Sequence, residues 1–356
     1  MPDILSALRA AAAMLLVGNL LIVAHEMGHF LAARCAGVRV LRFTIGFGPV
    51  LARRIDARGT TWTLSLLPLG GYVGFEGEQD AARPGSYAGT SPLARMAIIA
   101  AGPAANVGVA IAVFALLLAL FGAPGFLPIA STVVAGSAAD RAGFHVGDRV
   151  LTMDGQRIKT FEDMRPGLKA NPGKTIRFTI ERDGKPLDLV ARLGTLQADG
   201  KTIGLLGITS LVPFHQPLSP TQIASRAFGE TWQAIADSVQ GITKVVLHGE
   251  GGDNVAGVVG IAQLTGHVAQ QGTGPFLALI AILSANLALM NLLPIPVLDG
   301  GALLFCAAEL VLRRPLPARA QAFGTRAGVA VLASLFMVAT LHDIAQTGLF
   351  RWIAGL

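Results

Sequence analysis

The chain has 356 residues, 52% of them hydrophobic and only 14% charged, with a mean hydropathy of +0.58 and a formal net charge of +6. Soluble domains carry about 25% charged residues, so this composition excludes an ordinary soluble protein and points to a chain held in a lipid bilayer with a polar insert. The basic residues fall in short loops beside apolar spans rather than in one patch, so no nucleic-acid partner is expected. Two cysteines, Cys35 and Cys306, are too few for a disulfide framework, although one bond between them stays open.

A bilayer crossing needs about 20 apolar residues as helix, and four stretches qualify. Residues 1–36 are the first. Their apolar run continues without a small-residue cleavage site, so they read as a retained span rather than a removed signal peptide. Inside this span lies HEMGH at 25–29. His25 and His29 are one helical turn apart and share a face. That is the spacing at which two imidazoles grip one zinc ion and leave Glu26 free as a base. Ionisable groups at membrane depth cost at least about 2.5 kcal/mol each, so they are read as functional.

Residues 37–92 form a basic loop, residues 93–122 a second span, and 127–212 a small mixed α/β domain. Ser137 can cap a short helix that Gly143 ends. Strands are expected at 127–134, 149–153, 175–182 and 187–193, with turns at Asp154-Gly155 and Asp183-Gly184, and a helix at 161–169. Residues 213–272 are expected to form amphipathic helices. Phe228, Trp232, Ile235 and Val239 lie near one face, which either packs on a neighbour or lies on the membrane surface. Residues 273–312 are a third span broken by prolines and glycines, 313–326 a basic loop, and 327–350 a fourth span. The positive charge of both loops places them on the cytoplasmic side, with the insert opposite.

Zinc held by two histidines needs a third protein ligand and an open position for water. The best candidate is Asp299 in NLLPIPVLDGG at 291–301. Pro294 and Pro296 cannot continue a regular helix, and bent backbone at membrane depth is tolerated only where protein or water covers it. Asp299 could alternatively cap the following helix. With zinc bound, Glu26 would take a proton from water and deliver it to a leaving amine, so the expected reaction is peptide hydrolysis. His145, His215, His248, His267 and His342 have no metal-ligand spacing.

The combination of HExxH within a span and a later LDG after a proline-broken segment resembles the site-2 protease family of intramembrane zinc metalloproteases, in particular its bacterial regulator-of-sigma-E branch. The resemblance covers essentially the whole chain. It implies a polytopic α-helical membrane protein of about four transmembrane helices, a PDZ-like inserted domain and a membrane-associated β region. It further implies one Zn2+ per chain on His25, His29 and Asp299, with Glu26 catalytic. GSAADRAGFHVGDRVLTMDG at 136–155 is similar to a PDZ core, and IGFGP at 45–49 with 61–73 to the β region. By the same resemblance Gly46, Phe47 and Gly48, Asn106 of AGPAAN and Asn291 contact substrate, although Asn106 could equally serve an interhelical hydrogen bond. The implied substrates are single-span membrane proteins already cut once by another protease, such as anti-sigma factors or remnant signal peptides. The implied location is the bacterial inner membrane, with the PDZ-like domain in the periplasm.

Three features depart from that family's pattern. There is one PDZ-like unit rather than two in tandem. GVVGI at 257–261 lacks the usual proline after its first glycine. Ala302 follows DGG where many relatives have histidine. Two other function classes remain to be weighed. A proton or ion pathway also uses buried His, Glu and Asp, but it does not explain the HExxH spacing. A scaffold built on a dead protease core does not explain an intact Glu26.

Overall fold

The computed structural model of the chain describes residues 4–77, 85–198, 201–248 and 257–346. They fall into two compact units, Leu118–Thr221 and the remainder.

The larger unit is built on α1 (Ile4–Cys35) and α2 (Pro92–Phe121). Helix α1 is a run of Ala, Leu, Val and Ile, and it stops where Gly37 adopts φ +76°. A residue with a Cβ is strained in that left-handed conformation. Val17, Leu21 and His25, at one-turn spacing, face inward, while Leu8, Leu16 and Leu20 are exposed. Helices α1 and α2 meet through small residues. A Cβ on Gly28 would collide with the Ala101 carbonyl and come within 2.9 Å of Ala105 Cβ. Only glycine permits so close a crossing.

After α1 the chain forms β1 (Val40–Ile55) and β2 (Thr61–Phe75), a long irregular hairpin folded back on itself. Residues 42–45 pair with both 61–64 and 71–74, while 50–55 pair with 61–65. A single hairpin thus makes four lengths of strand. Phe43, Phe30 of α1 and Trp62 stack at centroid distances of 4.6–5.5 Å and fasten the sheet to α1. Asp56 pins the turn. It accepts from Arg58 N at 2.9 Å, Thr60 N at 3.0 Å, Trp62 Nε1 at 3.2 Å and the Arg34 guanidinium. The far end of the hairpin is apolar and bare: Phe47, Val50, Leu51, Leu66, Leu67 and Leu69 are exposed.

Beyond the insert come α5 (Pro220–Thr243), a π-helical turn (Lys244–His248), α6 (Val258–Gln270), α7 (Thr273–Asn291), α8 (Asp299–Leu312) and α9 (Ala318–Gln346). Among the described residues, four helices are long and apolar enough to cross a membrane: Leu8–Cys35, Pro92–Phe121, Thr273–Asn291 and Arg319–Val338. Residues 347–350 of the expected fourth span lie outside the described residues. The face of α5 that packs is not its apolar one. Ala227 and Thr231 are buried and Ser238 Oγ bonds Asn286 Oδ1 at 2.6 Å, whereas Phe228 and Trp232 are 61% and 65% exposed. Cys35 and Cys306 are both free.

The smaller unit carries a four-stranded antiparallel sheet of order β6-β5-β7-β8, from Gln156–Arg157, Arg149–Met153, Thr175–Arg182 and Lys185–Arg192. Helices α3 (Ala138–Arg141) and α4 (Phe161–Lys169) cover it, and Ser137 caps α3 by accepting from Asp140 N at 3.2 Å. Its core is Phe144, Val150, Met164, Ile176, Phe178 and Ile180. Asp148 is buried and accepts two bonds from Arg182 (2.7 and 2.8 Å) and one from His145 N (2.7 Å). Burial alone would raise its pKa, but these donors hold its carboxyl below the usual value. Further ribbons pair β9 (Gly194–Ala198) with β10 (Lys201–Leu205), β4 (Thr132–Val133) with β11 (Ile208–Thr209), and β3 (Ala123–Phe126) with β12 (Pro213–Gln216). The last of these extends the insert past 127–212 at both ends, because backbone groups at its entry and exit find their partners in each other.

Candidate metal centre

The site assembles where α1, α2 and the start of α8 converge. His25 and His29 project from one face of α1, and their Nε2 atoms stand 3.0 Å apart. Asp299 Oδ2 lies 3.0 Å from His25 Nε2 and 3.5 Å from His29 Nε2. The three ligand atoms lie within 4.8 Å of one another, forming a group with the composition of a metal site.

Asp299 is delivered by a fold-back of the chain. Helix α7 ends at Asn291, Ile295 N bonds the Leu293 carbonyl at 2.7 Å, and Leu298 N bonds that of Ile295 at 2.8 Å. Helix α8 then starts at Asp299 against this loop. A Cβ on Gly300 would collide with the carbonyls of Leu292 and Leu293, and one on Gly301 with the Ile295 carbonyl. The two glycines of DGG are there because backbone packs on backbone at the turn.

Helix α2 supplies three groups from successive turns, four residues apart like the histidines they face. The Ile98 carbonyl lies 2.9 Å from His29 Nδ1. Gly102 has no side chain: a Cβ there would collide with the His29 ring and stand 2.8 Å from His25 Cε1. The Asn106 amide lies 3.4 Å from His25 Nδ1, and Asn106 is fully buried. A carbonyl only accepts, so neutral His29 carries its proton on Nδ1 and turns the Nε2 lone pair toward Asp299. Asp299 Oδ2 is itself buried with no hydrogen-bond donor. Lone pairs that converge without a proton between them suit a divalent cation, and an N,N,O donor set suits zinc.

Glu26 lies on α1 between the histidines, and its Cγ marks the closest approach to Gly71 of β2 (3.1 Å from a Cβ built there). It also takes a hydrogen bond from the Val73 backbone. The carboxylate is therefore held between the three-residue cluster and the sheet. The other sequence candidates are spread out. Gly46, Phe47 and Gly48 are in β1, along a surface cavity of about 320 Å³ shared with Arg42, Thr44 and Val50. Asn291 is the half-buried last residue of α7. Asn106 faces His25. Ile98 and Gly102 were not anticipated. The signal was present in the one-turn spacing of Ile98, Gly102 and Asn106, but a backbone carbonyl and an absent side chain leave no residue type to notice.

Residues 11–335 match the model of peptidase family M50. A protein of Agrobacterium fabrum whose name places it among the zinc metalloproteases is 38% identical, over 93% of this chain and 94% of its own length. Metalloprotease MmpA of Caulobacter vibrioides is 34% identical over 96% and 97%. The regulator of sigma-E protease RseP of Escherichia coli is 29% identical over 92% and 96%. Among solved structures, the PDZ domain of an SdrC-like protein from Listeria monocytogenes matches 26% of this chain and 88% of its own, at 18% identity and a TM-score of 0.21. On the family match and the full-length relatives, the chain belongs to peptidase family M50, the site-2 protease family, and is a zinc metalloprotease.

Proposed function

We propose that the protein is an intramembrane zinc endopeptidase that hydrolyses peptide bonds in or near the transmembrane segments of single-span membrane proteins. The observation that carries this reading is the convergence of His25, His29 and Asp299 beside Glu26, with both histidines and Glu26 on α1, a helix apolar enough to lie in a bilayer.

In this reading His25, His29 and Asp299 would hold one zinc ion, which when bound would polarise the scissile carbonyl and make water acidic near neutral pH. Glu26 takes a proton from water and delivers it to the leaving amine nitrogen. Its bond from the Val73 backbone keeps the carboxylate aimed at the cluster. A helical substrate hides its carbonyls in its own hydrogen bonds, so it must be extended before it is cut, and an added strand on the nearby sheet does this. Gly46, Phe47 and Gly48 would seat that strand, with Asn291 beside the turn that delivers Asp299. The exposed apolar residues of the hairpin support placing this β region in the bilayer. The basic loops support a cytoplasmic side for 37–92 and 313–326, and thus a periplasmic PDZ-like insert in a bacterial inner membrane. The insert would screen substrates already trimmed by another protease, anti-sigma factors or remnant signal peptides among them.

The test uses the purified full-length protein and a panel of single-span substrates. The parent should bind one zinc ion per chain, lose cleavage on chelation and regain it on re-addition. Glu26→Gln should keep its zinc and lose cleavage by 100-fold or more. A Glu26→Gln enzyme as fast as the parent would remove Glu26 from the mechanism, and a parent without zinc would remove the metal centre.

A further inference from the structure

We propose that Asn106 is a positioning residue that sets the tautomer of His25 by accepting its Nδ1 proton on the side-chain amide oxygen. This rests on the reading that His25, His29 and Asp299 hold the metal.

The two histidines have unlike partners. The partner of His29 is the Ile98 carbonyl, which only accepts, so His29 presents its Nε2 lone pair to the site whether metal is bound or not. The partner of His25 is an amide, which donates from one end and accepts at the other. The Asn106 side-chain amide lies 3.4 Å from His25 Nδ1, and its Oδ1 is buried with no other hydrogen-bond partner. Nitrogen and oxygen of an amide have nearly the same size, so its orientation follows from the hydrogen bonds it satisfies. With Oδ1 toward the ring, Nδ1 donates and the Nε2 lone pair is left facing His29 Nε2 and Asp299 Oδ2, each at 3.0 Å.

Zinc requires the Nε2 lone pair, so the ring proton must sit on Nδ1 and find an acceptor there. The Asn106 amide oxygen supplies it, and because Asn106 is fully buried it does so without competition from solvent. The backbone is held independently, because the Asn106 carbonyl accepts from Ser284 Oγ of α7 at 2.8 Å.

The experiment measures zinc affinity by chelator competition on the full-length protein, with the unfolding temperature of the metal-free form and KM at saturating zinc. Asn106→Leu, of similar size and without an acceptor, should weaken zinc binding 10- to 100-fold and leave KM unchanged. Asn106→Asp, which only accepts, should bind zinc at least as tightly as the parent. Equal zinc affinity in parent and Asn106→Leu overturns the proposal. So does a raised KM at unchanged affinity, which would make Asn106 a substrate contact. If Asn106→Leu does not fold, Asn106→Asp decides alone: a tenfold loss of zinc affinity there overturns it. A parent that binds no zinc refutes the metal centre itself, a separate outcome.

Discussion

Arg95, half-buried, donates to the buried Glu309 at 2.7 Å, and this pair joins the first turn of α2 to the C-terminal end of α8. Glu309 also accepts from Leu316 N at 3.0 Å and Gln321 Nε2 at 3.4 Å. The two helices it ties are the one that supports the imidazoles and the one that begins with Asp299. Truncation of one partner leaves the other charge buried and unmatched, which costs about 3 kcal/mol or more. Glu309→Ala is therefore expected to lower the unfolding temperature of the detergent-solubilised protein and to speed zinc loss to a chelator. Unchanged values in both measurements would show that the pair does not hold the helices.

Gly102 should be intolerant of even one methyl group. Its Cβ would displace both imidazoles, and misplacement of a reacting group by about 1 Å can cost about 100-fold in rate. Gly102→Ala is expected to lower kcat/KM by that order and to reduce zinc retention. Gly108→Ala on the same helix, where a Cβ would meet nothing within 4 Å, should behave as the parent in both assays. Equal behaviour of the two variants would show that the site can relax around the methyl.

Gly46 tests the β region. Its φ is +80°, and a Cβ would stand 2.6 Å from the Leu67 carbonyl. Both features disfavour any other residue. Gly46→Ala should distort the strand beside the proposed substrate groove and lower cleavage by about tenfold, equivalent to about 1.4 kcal/mol. Zinc content should stay at the parent level, because no ligand lies on β1. A variant with normal cleavage would remove this segment from substrate positioning.

Asp148 should make the insert acid-sensitive. Its folded-state pKa is below the usual value, so its contribution to stability is fully present above about pH 4, the unfolded value. That contribution is lost as pH falls through the folded value. Asp148→Asn weakens charge-assisted bonds to Arg182 and is expected to cost about 2 kcal/mol at neutral pH. Hydrogen exchange of residues 144–182 in the full-length protein should show faster opening. Its dependence on pH between about 5 and 3 should be weaker than in the parent. A parent whose exchange protection is flat below pH 4 would contradict the assignment.

Much of the candidate site was legible in the sequence because its signals are local. HEMGH states its own geometry, since two positions four apart on a helix must share a face. Asp299 stood out as a carboxylate amid apolar residues, and Pro294 and Pro296 marked the bend that carries it. In the insert, α3, α4, β5, β7 and β8 were legible from caps, Asp-Gly turns and alternation, whereas β6 was not, and of the strand expected at 127–134 only β4 forms. The ribbons β3–β12 and β9–β10 were not anticipated. β3 and β12 are short and pair only because distant backbone groups need partners, whereas β9 and β10 flank Asp199-Gly200, a two-residue turn signal that was present in the sequence and passed over. The sequence left the apolar face of α5 open between packing and lying on a surface. Phe228 and Trp232 are exposed, while Ala227 and Thr231 are buried and Ser238 bonds Asn286 of α7.

The sequence by itself determined which groups could do chemistry, which segments were apolar enough for a bilayer, and where the chain had to bend. Periodicity, proline and glycine act over a few residues, so a single strand of text carries them. The tertiary structure decided which distant groups meet: Asp299 with both Nε2 atoms, Ile98 with His29, Asn106 with His25, and Glu26 with the turn of sheet at Gly71 and Val73. Those meetings depend on how closely helices approach, and that is set by the absence of side chains at Gly28, Gly102, Gly300 and Gly301, acting together across the whole chain.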